Sequence, residues 1–214
     1  MMGDDTNRDG SPKRKFIDTA LVLFSERGFH GVSLADVATE LGLTKQSVLY
    51  HFRTKETLYG AVLADMAGRF EAIVENARAG GGWGEDRLRA YLAALFDHME
   101  RHPRDARLIA RELIDNLDRA RSARAWYLRP FLEESIALLA DLPGWSRRSL
   151  DARTAAVAQW VGAINYFAIA QDTFCAIFGP DRHDGARAAF IETLVVQATS
   201  VQASTNDASK GRKP

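Results

Sequence analysis

The chemistry that this chain offers most clearly is hydrogen bonding from a row of four polar side chains: Thr44, Lys45, Gln46 and Ser47. Hydroxyl, amide and ammonium groups suit the base edges and phosphates that line a DNA major groove. Gln46 can pair with an adenine through two hydrogen bonds, which makes it the first candidate for a base-specific contact. Tyr50, His51 and Lys55 follow and are candidates for phosphate contacts. Each of these residues alone is more often a cap or an ordinary surface residue, so the prediction depends on their combination.

Short helices must hold this row in place. Ser33, with Asp36 three residues later, is typical of a capping box and predicts a helix that begins near Leu34. Gly42 can take the left-handed backbone that ends this helix, and Leu43 is expected to return to the core. Thr44 then caps a recognition helix that extends to Phe52, and Thr54 caps the next helix at Lys55. Its location in this motif makes Ser33 a further candidate for DNA contact.

The strings ALVLFSERGFHGVSLADVATELGLTKQSVLYHF and RTKETLYGAVL, between about Phe16 and Val62, resemble the DNA-binding domain of the tetracycline-repressor (TetR/AcrR) family of bacterial regulators. The resemblance implies an all-α fold, with an N-terminal three-helix helix-turn-helix domain and a C-terminal helical domain for ligand binding and dimerisation. Leu49 stands where many members carry a phosphate-contacting Tyr. That contact is therefore expected to fall to Tyr50.

Composition agrees with a helical, globular protein. The chain has 214 residues, 46% of them hydrophobic, and a formal net charge of zero. A neutral total argues against non-specific coating of nucleic acid, although local basic groups suffice for phosphate contact. The predicted organisation is a disordered lead (1–11), the helix-turn-helix domain (12–58), an effector-binding and dimerisation domain (59–202) and a disordered tail (203–214). A single cysteine, Cys175, and the lack of an apolar leader suggest a cytoplasmic protein.

The second domain is predicted to contain helices near 85–101, 104–116, 120–140, 148–178 and 185–201, with a kink or division at Pro130. Between Thr154 and Phe178 the only charge is Asp172, yet several polar residues argue against a membrane span. A seven-residue apolar pattern instead predicts a homodimer through a four-helix bundle. The expected interface residues are Val157, Trp160, Ile164, Phe167, Phe174, Phe190, Leu194 and Ala198.

An effector pocket is implied by the family resemblance. Its candidate residues, which combine aromatic bodies with polar ends, are His98, Arg111, Asn116, Tyr127, Phe131, Asn165 and Tyr166. Asn165 is favoured because an amide within an apolar helix needs a hydrogen-bond partner: a ligand, the other subunit or Asp172. Arg111 and Glu112 could alternatively form a surface ion pair. The aromatic character favours an effector that is largely apolar or flat.

The leading hypothesis is a homodimeric repressor that a small effector releases from a palindromic DNA operator. An activator, or a dimeric interaction protein of the same fold, is the alternative. An enzyme is not expected, because the sequence lacks a catalytic triad, a phosphate-binding glycine loop and a cysteine pair. No catalytic residue, cofactor, metal or membrane partner is predicted. His98 and His102 are four residues apart, but Pro103 follows and no third ligand lies nearby.

Overall fold

The computed structural model describes residues 11–115, 126–142 and 144–200. Within these ranges the regular structure is helical and contains no strand. The helices are α1 (Pro12–Arg27), α2 (Leu34–Glu40), α3 (Lys45–His51), α4 (Lys55–Ala79), α5 (Glu85–Arg101), α6 (Pro103–Asp115), α7 (Arg129–Ala140), α8 (Leu150–Ile169), α9 (Gln171–Phe178) and α10 (Pro180–Ser200). The all-α prediction is therefore confirmed.

The chain divides into two compact units. The first, called the head below, comprises the residues up to Gly68 together with Arg104–Tyr127. The second, called the C-terminal unit, comprises Arg69–Pro103 and the residues from Leu128 onwards. The division falls within α4, and α6 belongs to the head although it lies far along the chain. Most of the predicted lead and all of the predicted tail are outside the described residues, and Ser11 caps α1 by accepting a hydrogen bond from the Arg14 amide.

Aromatic residues build the core of the head. Phe16, Phe24 and Tyr59 are each at most 1% exposed. The Tyr59 ring lies edge-on to Phe24, with 4.8 Å between the ring centroids. Phe16 lies edge-on to Phe52, the residue that ends α3. Burial of such large side chains stabilises a small domain most, since each removes roughly 150–250 Å² from water. This core connects α1, α3 and α4.

The C-terminal unit contains a buried polar pair within its apolar core. Tyr91 on α5 donates a hydrogen bond to Ser135 on α7, at 2.8 Å, and Ser135 donates to the Phe131 carbonyl at 2.7 Å. Burial raises the pKa of Tyr91, and the hydrogen bond with Ser135 only partly offsets this. The hydroxyl therefore stays protonated and serves as a donor, as a buried polar group must to avoid the cost of an unmade hydrogen bond.

One sequence-based expectation for the C-terminal unit is wrong. The single helix predicted at 148–178 is broken at Ala170 into α8 and α9, which are bent by 64°. No proline or glycine lies at the break. The bend places the Phe174 ring beside the Phe167 ring, with 5.6 Å between their centroids. In a straight helix these two residues would be two turns apart along the axis. Of the helix predicted at 120–140, residues 120–125 lie outside the described residues, and α7 begins only at Arg129, with Pro130 in its first turn, where its missing amide costs nothing.

Among the described helices, none is long and apolar enough by itself to cross a membrane. The bent pair α8 and α9 meets that test only when the two helices are taken together, by length and composition.

Candidate nucleic-acid interface

A complete capping box begins α2. The Ser33 hydroxyl accepts a hydrogen bond from the Asp36 amide at 3.2 Å, and the Asp36 carboxylate accepts one from the Ser33 amide at 2.7 Å. The carboxylate also accepts from the Ser33 hydroxyl at 2.8 Å. These hydrogen bonds, chiefly that from the hydroxyl, lower the pKa of Asp36. The predicted start of the helix is confirmed, and Ser33 is occupied as a cap while its side chain stays exposed.

The turn between α2 and α3 is held by backbone conformation and backbone hydrogen bonds rather than by packing of side chains. Gly42 has φ +65°, the left-handed conformation predicted for it. The Leu43 amide donates to the Ala38 carbonyl at 2.8 Å and closes the turn. The expectation that Leu43 returns to the core is wrong, because this backbone geometry leaves its side chain 47% exposed. Val48, which is fully buried, fills the core beneath the turn instead.

Helix α3 separates its buried and exposed faces clearly. Thr44 caps it, since its hydroxyl lies 3.4 Å from the Ser47 amide and 3.1 Å from the Ser47 hydroxyl. Lys45 and Gln46 are exposed, and Tyr50 is 86% exposed. These three exposed side chains are therefore accessible to a binding partner.

His51 connects the exposed face to the core. Its ring lies 5.5 Å from that of Phe16 and 5.1 Å from that of Tyr50, centroid to centroid. The exposed imidazole therefore supports Tyr50 from one side. This arrangement brings two of the predicted contact residues, Tyr50 and His51, together at the end of α3.

Lys55 has an internal role that its sequence position did not predict. Its ammonium group donates to the Phe29 carbonyl at 2.9 Å and lies 4.3 Å from the centre of the Phe29 ring. It thus fastens the start of α4 to the connection between α1 and α2. An ammonium group has three donors, so this contact leaves capacity for a phosphate.

Arg14 is a second basic residue with a structural role. It forms ion pairs with Asp18 on α1 and with Asp65 on α4, both of which raise the pKa of the guanidinium. The pairing with Asp65 joins two helices that are far apart in sequence. The neighbouring basic residues Lys13 and Lys15 are exposed, so only the three-dimensional contact distinguishes Arg14 from them.

The structure gathers only part of the predicted effector set. In the C-terminal unit His98 and Phe131 both contact the Phe70 ring, at 4.9 Å and 5.2 Å between centroids. Asn165, on the same unit, is half-buried, and its side-chain oxygen is buried without a hydrogen-bond partner. Tyr166 is 60% exposed and is not part of this cluster. Asn116 lies outside the described residues.

Two other members of the predicted set belong to the head. The Tyr127 hydroxyl lies against Gly60 of α4, 2.7 Å from where a Cβ at that position would be. The Arg111 guanidinium donates to the carbonyls of Ser25 and Glu26.

A surface cleft of about 330 Å³ lies between the second half of α4 and the start of α7. Its lining is mainly charged: Glu71, Val74, Glu75, Arg78, Pro130 and Glu134. Arg78 and Glu134 form an ion pair across it. Such a lining does not suit the largely apolar effector that the aromatic residues suggest.

The predicted interface residues lie mostly inside the protomer. Six of the eight are buried within the C-terminal unit: Val157, Trp160, Ile164, Phe167, Leu194 and Ala198. Phe174 and Phe190 are half-buried. The Phe190 and Phe167 rings meet at 4.5 Å. The seven-residue pattern therefore marks the face of α8 that packs on its own unit, which sequence alone did not distinguish from a face for a partner.

These features define an all-α protein with a helix-turn-helix head. The family model described as bacterial regulatory proteins, tetR family, matches residues 16–62. The match covers the helix-turn-helix segment of the head, which is therefore similar to this family of bacterial regulatory proteins.

Two proteins of known role are similar to this chain in sequence, and a solved structure is similar to it in fold. The HTH-type transcriptional regulator RutR of Escherichia coli is 28% identical over 138 residues, which span 62% of this chain and 61% of RutR. The negative transcriptional regulator IcaR of the Staphylococcus aureus biofilm operon icaADBC is 45% identical over 47 residues, 22% of this chain and 25% of IcaR. The structure of AibR in complex with isovaleryl coenzyme A and operator DNA shares the fold, with a TM-score of 0.59, 18% identity and coverage of 79% of this chain and all of AibR.

Proposed function

We propose that the protein is a homodimeric transcriptional repressor that binds a palindromic DNA operator through α3 and is released by a small, largely apolar or aromatic effector. The observation that carries the proposal is the exposed face of α3, where Lys45, Gln46 and Tyr50 extend from a helix fixed by Val48 and Phe52. Side chains on such a helix reach base edges and phosphates of a major groove. A regulator of this kind acts in the cytoplasm, where bacterial DNA lies.

Repression rather than activation is the form we propose. IcaR, which is 45% identical over the segment that it shares with this chain, is a negative regulator. AibR was determined with both isovaleryl coenzyme A and operator DNA, and isovaleryl coenzyme A carries a small branched acyl group. The contacts of His98 and Phe131 with Phe70 supply an aromatic environment suited to an apolar group of this kind.

Dimerisation is proposed through the exposed faces of α8 and α10. On α8 the exposed residues at helical spacing are Ala155, Gln159, Gly162 and Tyr166. On α10 they are Ala186, Ala189, Thr193 and Val196. Both stripes are uncharged, and their small residues permit close approach of a second copy's helices. Tyr166 and Val196, each 60% exposed, add apolar area that a partner would remove from water.

The test is a mobility shift of operator DNA that the purified protein itself selects from its own genome, repeated across a salt series. We expect a dimeric complex whose affinity falls with salt, because phosphate contacts release counterions. Tyr50→Ala should weaken binding roughly tenfold or more, since a charge-assisted hydrogen bond contributes about 1.5–3 kcal/mol.

The matched control is Trp83→Ala, which removes another exposed aromatic residue, 75% exposed, from the connection between α4 and α5. It should bind as the wild type does. Equal loss in both variants, or selection of no DNA sequence, would contradict the proposed function.

A further inference from the structure

The C-terminal end of α5 brings two histidines together. Helix α5 ends at Arg101, and His102 is the residue that follows and caps it. The His102 amide donates to the His98 carbonyl at 2.8 Å, which is the hydrogen bond of a regular α-helix. Pro103 therefore does not disturb the helical spacing of the pair. Residues four apart at this spacing are neighbours on one face of the helix.

The two imidazole rings already have the separation of a metal chelate. Their centroids are 4.6 Å apart, with 34° between the ring planes. Two imidazoles that bind one ion through nitrogens at ~2.0–2.1 Å have ring centres roughly 4.5–5.2 Å apart when the angle at the metal is about 90–110°. The observed distance lies within this range. The backbone of α5 thus holds both rings where one ion could bind them.

The position of the pair favours a cation. The last carbonyls of a helix carry partial negative charge, and both histidines lie at the last turn of α5. Arg101 is the positive charge next to His102 in the chain, and its guanidinium forms an ion pair with Asp97. The field of this cation is therefore partly offset by a carboxylate on the same helix.

One ring is held in place and the other is accessible. His98 is half-buried, and its ring contacts the buried Phe70 ring at 4.9 Å between centroids. This contact restricts the His98 ring from one side, as a metal ligand requires. His102 is exposed, so an ion can reach the pair from solvent.

The donor set selects a class of metal. Imidazole nitrogens suit Zn²⁺, Ni²⁺ and Cu²⁺, whereas Mg²⁺ and Ca²⁺ take oxygen ligands. A structural zinc site has four protein ligands. Within the described part of the chain, no group of three or more His, Cys, Asp or Glu side chains could hold a metal. Two imidazoles leave coordination positions open to water, so such a site binds its ion reversibly.

We propose that His98 and His102 form a reversible binding site for a divalent transition-metal ion of the zinc, nickel and copper group, with one site in each chain. The site goes beyond the proposed function and does not depend on it, because neither histidine belongs to the helix-turn-helix. The pair binds an ion more tightly than a solitary histidine does. Once one imidazole is attached, the second binds at a high effective concentration.

The experiment is a calorimetric titration of the full-length protein, without an affinity tag, with Zn²⁺ and in a second series with Ni²⁺. We expect one saturable ion per chain for either metal and none for Mg²⁺. His102→Ala leaves a solitary imidazole and should weaken binding about a hundredfold, the gain that linked ligands commonly provide. His30→Ala, which removes an exposed histidine of the head, is the matched control and should titrate as the wild type does.

X-ray absorption at the zinc edge supplies a second readout. The zinc-loaded wild type should show two imidazole nitrogens at ~2.0–2.1 Å, and His102→Ala should show one or none. Circular dichroism checks that this variant keeps its helices. His102→Gln takes its place in both measurements if the alanine variant does not fold.

Three results would overturn the proposal. They are no saturable binding of either metal by the wild type, equal affinity of the wild type and His102→Ala, and a loss in His30→Ala as large as that in His102→Ala. Either of the last two would place the ion elsewhere. The titration contains no DNA, so a failure of the proposed function would leave its outcome unchanged.

Discussion

Gln46 and Tyr50 extend into solvent from the same helix whose Val48 is fully buried. The residues that we propose to contact DNA and the residues that fold the head are therefore different members of one seven-residue helix. This separation allows a recognition residue to be replaced without loss of stability, since exposed substitutions usually change it by at most about 0.5 kcal/mol.

Replacement of Gln46 by alanine should weaken operator binding without affecting the fold. A bidentate contact between an amide and a base contributes about 1–3 kcal/mol of discrimination. We expect a roughly tenfold loss of affinity for the operator, little change for random duplex DNA, and an unchanged melting temperature. Fluorescence anisotropy with both duplexes measures this, and Glu40→Ala, an exposed residue of α2, is the control. Equal affinity of Gln46→Ala and wild type for every operator variant would contradict the base contact.

The capping box should make the stability of the head depend on pH in acid. Hydrogen bonds from Ser33 lower the pKa of Asp36 below its ordinary value of 3.8. A carboxylate with a lowered pKa stabilises the folded state fully above the unfolded pKa, and this contribution is lost as pH falls through the folded pKa. Asp36→Asn should therefore unfold with less pH dependence below about pH 4. Thermal denaturation from neutral pH into acid compares the two proteins, and parallel curves would contradict the prediction.

At the scale of elements, the structure depends on close backbone approaches that only glycine permits. Gly31 follows α1 in the connection to α2, and a Cβ there would lie 2.4 Å from the Arg27 carbonyl oxygen. Backbone atoms cannot move aside as the end of a flexible side chain can. This glycine therefore fixes how the chain enters the helix-turn-helix.

Gly31→Ala should destabilise the protein by roughly 1–3 kcal/mol, the usual cost of forcing atoms into occupied space. Gly68→Ala is the matched control, because a Cβ at that position in α4 meets nothing within 4 Å. It should stabilise the helix by about 0.5–1 kcal/mol. Urea denaturation measures whether each substitution lowers or raises the free energy of unfolding. A Gly31→Ala protein as stable as the wild type would contradict the argument.

The sequence predicted elements well wherever caps and turn residues were explicit. Ser33, Thr44 and Thr54 each begin a helix within one residue of the expected position. The break at Ala170 was missed because it depends on packing between Phe167 and Phe174, not on a local signal. The roles of Lys55 and Arg111 were missed for the same reason. Their partners, Phe29 and the end of α1, are distant in sequence.

At the scale of the whole molecule, the exposed uncharged stripes on α8 and α10 are the faces on which the proposed dimer depends. A helix with apolar residues on both its packed and its open faces is typical of a buried position. Trp160 and Ile164 occupy the packed face of α8, while Gly162 and Tyr166 occupy the open one. The proposed dimer would bury the open face.

Gly162→Arg should therefore convert the dimer to a monomer without unfolding it. A Cβ at Gly162 meets nothing within 4 Å in one protomer, so the larger side chain fits the free chain but places a charge in the proposed interface. Ala94→Arg, at an exposed position of α5, is the control. Sedimentation velocity should show monomer only for Gly162→Arg, with a loss of operator affinity. A Gly162→Arg protein that remains dimeric would place the interface elsewhere.

The most direct test of the central claim, that two copies of α3 read one operator, is a hydroxyl-radical footprint of the wild-type protein on its selected duplex. The account predicts two protected regions related by two-fold symmetry, with centres about one helical turn of ~34 Å apart or somewhat more. Both regions should lose protection together in Tyr50→Ala. A single protected region without symmetry, or two regions that Tyr50→Ala leaves intact, would contradict it.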